Sequence, residues 1–185
     1  MQFAFMRGYF AIGVEGISKP MNLGNLFRSA HAFGASFVFT VAAHYTARGA
    51  PSDTSKTPEQ VPLYQFADVD GLTLPRGCKL VGVELLDEAE ELPSFRHPRC
   101  AAYVLGRERG SLSPEMVARC DYLVRIPTRF CINLATAGAI VMSDRLASLG
   151  RFARRPLVEG GASEPWPKHV HGQPRRRSVA GRLRQ

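Results

Sequence analysis

The chain has no apolar run of the roughly 18 to 20 residues that carry a helix across a bilayer, so a membrane-spanning helix is not expected. It has no C-x-x-C pair either. Cys78, Cys100, Cys120 and Cys131 stand apart, each in an apolar stretch, and the expectation is buried, reduced thiols. The histidines are no better grouped. His31, His44 and His97 are isolated and His169 and His171 lie in a Pro-rich tail, so no metal is expected. No signal-peptide cleavage pattern follows Met1 to Phe10, which points to the cytoplasm. No G-x-G-x-x-G follows the first apolar run and no phosphate loop precedes Glu84, so a nicotinamide-dependent oxidoreductase lacks support.

What is present is a core-forming composition and a lopsided charge. Hydrophobic residues make up 45% of the 185, ordinary for a folded domain and too many for wholesale disorder. Of 24 Lys/Arg and 16 Asp/Glu, residues 151–185 hold nine and two, which leaves 15 and 14 for the first 150. The net +8 is therefore mostly the tail's +7. This divides the chain into a domain over 1–150 and a basic, Pro/Gly-rich tail over 151–185. Such an arm suits nucleic acid, because each phosphate contact releases condensed counterions, or it serves only solubility. Arg175, Arg176 and Arg177 are its candidate contacts, and Trp166 stacks on a base or packs on the body.

Apolar segments alternate with helical ones. Tyr9 to Val14 reads as a strand, and Asn22 to Phe33 has Leu23, Leu26, Phe27, Ala30 and Phe33 at helical spacing with Gly34 as the cap. Ser36 to Ala42 reads as a second strand, followed by a polar loop from His44 to Gln60. Leu80 to Val83, Ala101 to Leu105 and Tyr122 to Ile126 are three further strands. A short helix begins at Ser113-Pro114-Glu115, and a long one runs from Ile132 to Leu149. This order predicts an α/β fold, a mainly parallel sheet flanked by helices, with ligands at the carboxyl ends of the strands.

Three segments stand at those ends. In Asn22-Leu-Gly24-Asn25-Leu-Phe-Arg28-Ser-Ala30, a helix start offers free N–H groups, and Arg28 interrupts an apolar pattern. A buried guanidinium there needs a partner or ligand; otherwise Arg28 reaches the surface. In Leu105-Gly106-Arg107-Glu108-Arg109-Gly110, two glycines let the backbone turn and approach a ligand. In Ile126-Pro127-Thr128-Arg129-Phe130-Cys131-Ile132-Asn133, a strand stops at proline and Asn133 stands where it caps the next helix or reaches a ligand.

The three in this order resemble the SpoU/TrmH branch of the SPOUT RNA methyltransferases, marked by N-x-G-x-x-x-R-x-A, an L-G-x-E-x-x-G loop and an I-P segment ending in S-L-N-x-S-x-A. The resemblance covers about residues 8 to 150. Cys131 and Ala135 stand where that pattern has serines. The family's additional N-terminal domain is not expected, since the first strand begins near Tyr9.

The resemblance implies a SPOUT-type fold with a C-terminal trefoil knot, a homodimer with sites at its interface, and S-adenosyl-L-methionine as cofactor. It implies transfer of a methyl group to a ribose 2′-hydroxyl of tRNA or rRNA, without metal. By the same resemblance the cofactor lies against Val83, Gly106, Ile126, Cys131 and Ile132, its adenine between Ile126 and Ile132. Arg28 stands beside the acceptor hydroxyl and its phosphate, while Asn22, Glu108 and Asn133 fix Arg28, the acceptor and the loops. The alternative is a non-catalytic RNA-binding protein that retains the fold, for which Cys131 and Ala135 are the reason.

Overall fold

In a computed structural model, residues 8–43, 57–107, 110–150, 152–153 and 155–163 are described. Seven strands form one sheet: β1 (Tyr9–Glu15), β2 (Phe37–Val41), β3 (Leu63–Phe66), β4 (Lys79–Val83), β5 (Glu90–Glu91), β6 (Cys100–Leu105) and β7 (Tyr122–Arg125). Their order is β3-β2-β1-β6-β4-β7-β5 and every pairing is parallel, as the alternation predicts. Two strands have no counterpart in the sequence reading. β3 and β5 are the edges, and their half-exposed or exposed side chains lack the apolar signature of a central strand.

The central strands are buried on both faces, and their side chains alternate between two cores. On one face Phe10, Ile12 and Val14 of β1 join Tyr103 and Leu105 of β6 and Val81 and Val83 of β4. Two helices cover that face, α1 (Pro20–Phe33) and α4 (Leu134–Leu149), through Leu23, Leu26, Phe27, Val141 and Met142. On the other face Ala11, Phe37, Phe39, Leu80 and Val104 pack with Leu72 and with Met116 of α3 (Pro114–Arg119). α1 and α4 touch at Gly138, where a Cβ would stand 2.3 Å from a Leu26 methyl. Any larger residue there pushes the helices apart.

The helix boundaries follow local chemistry. Pro20 opens α1, where a missing N–H costs nothing, and Gly34 closes it in the left-handed conformation at φ 76°. Ser113 caps α3 by accepting the Met116 N–H at 3.1 Å. Of the polar segment from His44 to Gln60, residues 44–56 lie outside the described ones, and Thr57–Gln60 form the one-turn helix α2.

At the amino ends of β1 and β6 the core is polar. Arg145, 1% exposed, donates to the carbonyls of Tyr9, Pro98 and Arg99 and to the Tyr103 hydroxyl. That hydroxyl lies 2.6 Å from His97 Nδ1, and His97 Nε2 lies 2.8 Å from Asp144. A neutral imidazole satisfies the whole chain: Tyr103 donates to Nδ1 and Nε2–H donates to Asp144. Burial supports that state, holding the His97 pKa below its ordinary value against the opposing pull of Asp144.

The chain divides after Gly150 into two units. Of residues 151–185, those described over 152–163 are exposed and include a turn closed by Gly161 N–H on the Val158 carbonyl at 3.0 Å. Trp166 and Arg175 to Arg177 lie outside the described residues.

Candidate active site

The register fixes what stands at the carboxyl edge of the sheet. β6 runs between β1 and β4, with Leu105 opposite both Val14 and Val83. The residues that follow, Glu15 at the end of β1 and Glu84 and Gly106 just past β4 and β6, therefore stand side by side. A cleft of about 240 Å³ opens there. Its apolar wall is Val83, Leu105, Ile126, Ile132 and Leu134, and its polar rim is Lys19, Asn22, Glu84, Arg107, Thr128 and Asn133.

Each rim group is placed by backbone chemistry. Asn133 is the N-cap of α4, its side-chain oxygen accepting the N–H groups of Ala135 at 2.9 Å and Thr136 at 3.4 Å. Its amide nitrogen remains to donate to Asn22 Oδ1 at 3.1 Å, which ties the start of α4 to the start of α1. Asn133 thus caps α4 and also lines the cleft. Glu84 accepts the N–H of Leu85 on one carboxylate oxygen at 2.9 Å and that of Leu112 on the other at 2.8 Å. Gly106 sits against that second oxygen; a Cβ there would stand 2.9 Å from it and 2.8 Å from the Leu112 nitrogen.

Asn22, Val83, Gly106, Ile126, Cys131, Ile132 and Asn133, drawn from four separate segments, come together around this one cleft. Arg28 does not line it. The guanidinium that interrupts the apolar pattern of α1 is exposed, so the surface alternative describes it. Glu108 lies outside the described residues, as does Arg109. One residue separates Glu108 from Gly110, where the family pattern named above has two. The cysteines also need correction. All four are free thiols, but Cys131 is exposed and the other three are half-buried, because their strand-end and helix-end positions leave one side open. Lys19, Glu84 and Thr128 were not anticipated. Only Glu84 left a trace in the sequence, as an acid directly after a buried apolar strand.

The profile of the SpoU rRNA Methylase family matches residues 9–143, nearly three-quarters of the chain. The chain belongs to the SpoU rRNA methylase family. Its relatives include the mouse tRNA (guanosine(18)-2'-O)-methyltransferase TARBP1, 26% identical over 158 residues, which are 80% of this chain and 9% of the mouse protein. Among solved folds, the AdoMet-bound rRNA methyltransferase from Sinorhizobium meliloti superposes with a TM-score of 0.69 at 20% identity, over 77% of this chain and 57% of that one. A structure concerned with 2-OH methylation of C/U34 on tRNA gives a TM-score of 0.66 at 20% identity, over 77% of this chain and 91% of that one. This SpoU family chain therefore spans a small part of the mouse relative and less than two-thirds of the Sinorhizobium one.

The cleft suits an adenosine-bearing cofactor on its own chemistry. Ile126 and Ile132 offer apolar faces for a flat base. The glycine at 106 lets the loop backbone pass close to a ligand. Among the described residues no group of three or more His, Cys, Asp or Glu could hold a metal ion, and no helix is long and apolar enough to cross a membrane.

Proposed function

We propose that this chain is an S-adenosylmethionine-dependent RNA methyltransferase whose acceptor is a ribose 2′-hydroxyl of tRNA or rRNA. The observation that carries the proposal is the convergence of Asn22, Gly106 and the Ile126-to-Asn133 segment on one cleft at the carboxyl ends of parallel strands, in a chain of this family. Val83, Gly106, Ile126, Cys131 and Ile132 hold the cofactor, largely through backbone groups and apolar contact. The cofactor supplies an electrophilic methyl group on a positively charged sulfur.

In the transfer, the 2′-oxygen forms a bond to carbon as the sulfur–carbon bond breaks, and the hydroxyl proton leaves to solvent. Positive sulfur and developing alkoxide lose charge together, so alignment and exclusion of water contribute more than a strong charge clamp. Asn22 and Asn133, joined by their hydrogen bond, fix the mouth of the cleft. Arg28, exposed on α1, takes the acceptor phosphate and lowers the hydroxyl pKa. It is no general base, because a guanidinium pKa exceeds about 12. By the family resemblance, Glu108 orients the acceptor. No metal takes part. The resemblance also supports a C-terminal trefoil knot and a homodimer, and the lack of a signal-peptide pattern after Phe10 supports a cytoplasmic location. Met21 and Ile140, exposed on α1 and α4 at 65% and 37%, are the apolar side chains that such a dimer would cover.

The test is incubation of total RNA with the protein and labelled S-adenosylmethionine, followed by nucleoside mapping. Label in a 2′-O-methylnucleoside is the expected result, and label on a base would overturn the ribose assignment. Calorimetry with and without chelator should give the same cofactor affinity. Cys131 and Ala135, in place of two serines, favour a second reading, an RNA-binding protein without turnover. Cofactor binding with no label in any RNA would select it.

A further inference from the structure

Two carboxylates from flanking strands hold the loop between them. Glu15, 2% exposed at the end of β1, accepts the N–H of Ser113 at 2.8 Å. Glu84, just past β4, accepts the N–H of the adjacent Leu112 at 2.8 Å and of Leu85 at 2.9 Å. β6 lies between β1 and β4, so the chain leaving β6 at Gly106 is pinned from both sides where it returns to begin α3. Charge-assisted bonds to backbone N–H groups are among the stronger hydrogen bonds in proteins. Both Glu84 oxygens are occupied, and the second also abuts Gly106 in the cleft wall.

We propose that Glu84, opposed by Glu15, is a positioning residue that presets Gly106 and residues 110–112 in the shape the cofactor requires. This rests on the reading that the cleft takes S-adenosylmethionine. Glu84 acts through the loop. A ligand then meets a wall that is already ordered and does not spend binding energy on ordering it. Glutamine cannot replace it, because its NH2 would face one of the two N–H donors that the carboxylate accepts.

The control is built into the same strand. At the amino end of β4, Asp121 also accepts a backbone N–H, that of Leu80 at 2.8 Å, and an ammonium, that of Lys79 at 2.7 Å. It makes the same kind of bonds and lies outside the cleft.

The experiment measures S-adenosylmethionine affinity by calorimetry, melting temperature, and amide exchange at Leu112 in the ligand-free protein. Glu84→Gln should weaken affinity about tenfold or more, or ~1.4 kcal/mol, raise KM with little change in kcat, and speed Leu112 exchange. Asp121→Asn should lower the melting temperature comparably and leave affinity within about twofold. If Glu84→Gln does not fold, Glu84→Asp, which draws the carboxylate back by one carbon, should show the same split. Unchanged affinity in Glu84→Gln would overturn the proposal. So would an equal loss in Asp121→Asn, since affinity would then track stability. Weaker binding with unaltered Leu112 exchange would make Glu84 a direct ligand contact and overturn the positioning role. Wild-type protein that binds no cofactor would bring down the parent reading and this one with it.

Discussion

The two ends of the sheet use the same chemistry with opposite sign. At the carboxyl end, Glu15 and Glu84 accept backbone N–H groups of the loop that enters α3. At the amino end, Arg145 donates to backbone carbonyls of the chain entering β1 and β6. Each end thus neutralises orphaned backbone groups with a side chain of matching polarity. They differ in what lies beside the charge. Arg145, His97 and Tyr103 are closed in, whereas Glu84 looks onto a cleft. A closed polar network can serve only stability and specificity of packing, while an open one is available to a ligand.

If that division holds, the largest effect belongs to the amino end. Replacing Arg145 with Met strips the carbonyls of Tyr9, Pro98 and Arg99 of a buried donor at once. Unfolding free energy should fall by about 3–5 kcal/mol, read by denaturant titration. Cofactor affinity of the protein still folded should be unchanged. A variant that keeps its stability would show that water replaces the guanidinium and that the end is not closed.

The converse variant sits on the other side. Arg28→Ala removes an exposed side chain, so melting should shift by no more than about 0.5 kcal/mol. Methyl transfer to RNA should drop by about a hundredfold or more, roughly 2.7 kcal/mol, with cofactor affinity nearly unchanged. A tenfold loss of affinity would move Arg28 from the acceptor side to the cofactor side.

How much of this was readable beforehand follows from which signals are local. Strands β1, β2, β4 and β6 announce themselves because burial on both faces makes them continuous apolar runs, and β7 because it is a short apolar stretch stopped by Pro127. Gly34 and the Ser113-Pro114 start are legible because caps are set by one or two residues. Edge strands β3 and β5 were not, since Glu90–Glu91 carries no apolar signal and owes its conformation to pairing with β7. The cleft was legible as three motifs but not as a volume. Glu15 and Leu112–Ser113 are nearly a hundred positions apart, and only the register of β1, β6 and β4 brings them together. Arg145 was hidden for the same reason. Nothing in its apolar helix singled Arg145 out, and for Arg28 the sequence left burial and surface both open. The carbonyls that hold Arg145 lie in distant segments.

A milder perturbation tests the amino end by pH. Burial lowers the His97 pKa from its ordinary 6.5 in the folded protein. Between the folded and unfolded values the unfolded chain binds the extra proton, so stability rises with pH through that window. The contribution is complete above about pH 6.5 and is lost as pH falls through the lower folded value. Melting temperature should therefore decline below pH 6.5, and His97→Gln should lose part of that decline. A melting temperature that instead rises as pH falls from 7.5 to 5.5 would place a charged imidazole in the native state, paired with Asp144.

The smallest effect returns to the cleft, where Cys131 takes the place of a serine in the family pattern. Its thiol is exposed and lines the cleft wall. Cys131→Ser exchanges one small polar group for another at an open position, so stability should change by less than about 0.5 kcal/mol and turnover by less than about threefold. Adding bulk is a different matter. The Cys120 thiol is pushed up to about 12 by burial, and burial likewise raises that of Cys78. Neither offers much thiolate at pH 8, and thiolate is the reacting form. An alkylating reagent should therefore label Cys131 first, as mass spectrometry of peptides would record, and S-adenosylmethionine should slow the labelling. The labelled protein should lose cofactor binding while melting as before. Labelling that ignores the cofactor would put Cys131 on the rim, beyond the bound ligand, and would free the serine-to-cysteine exchange from any bearing on catalysis.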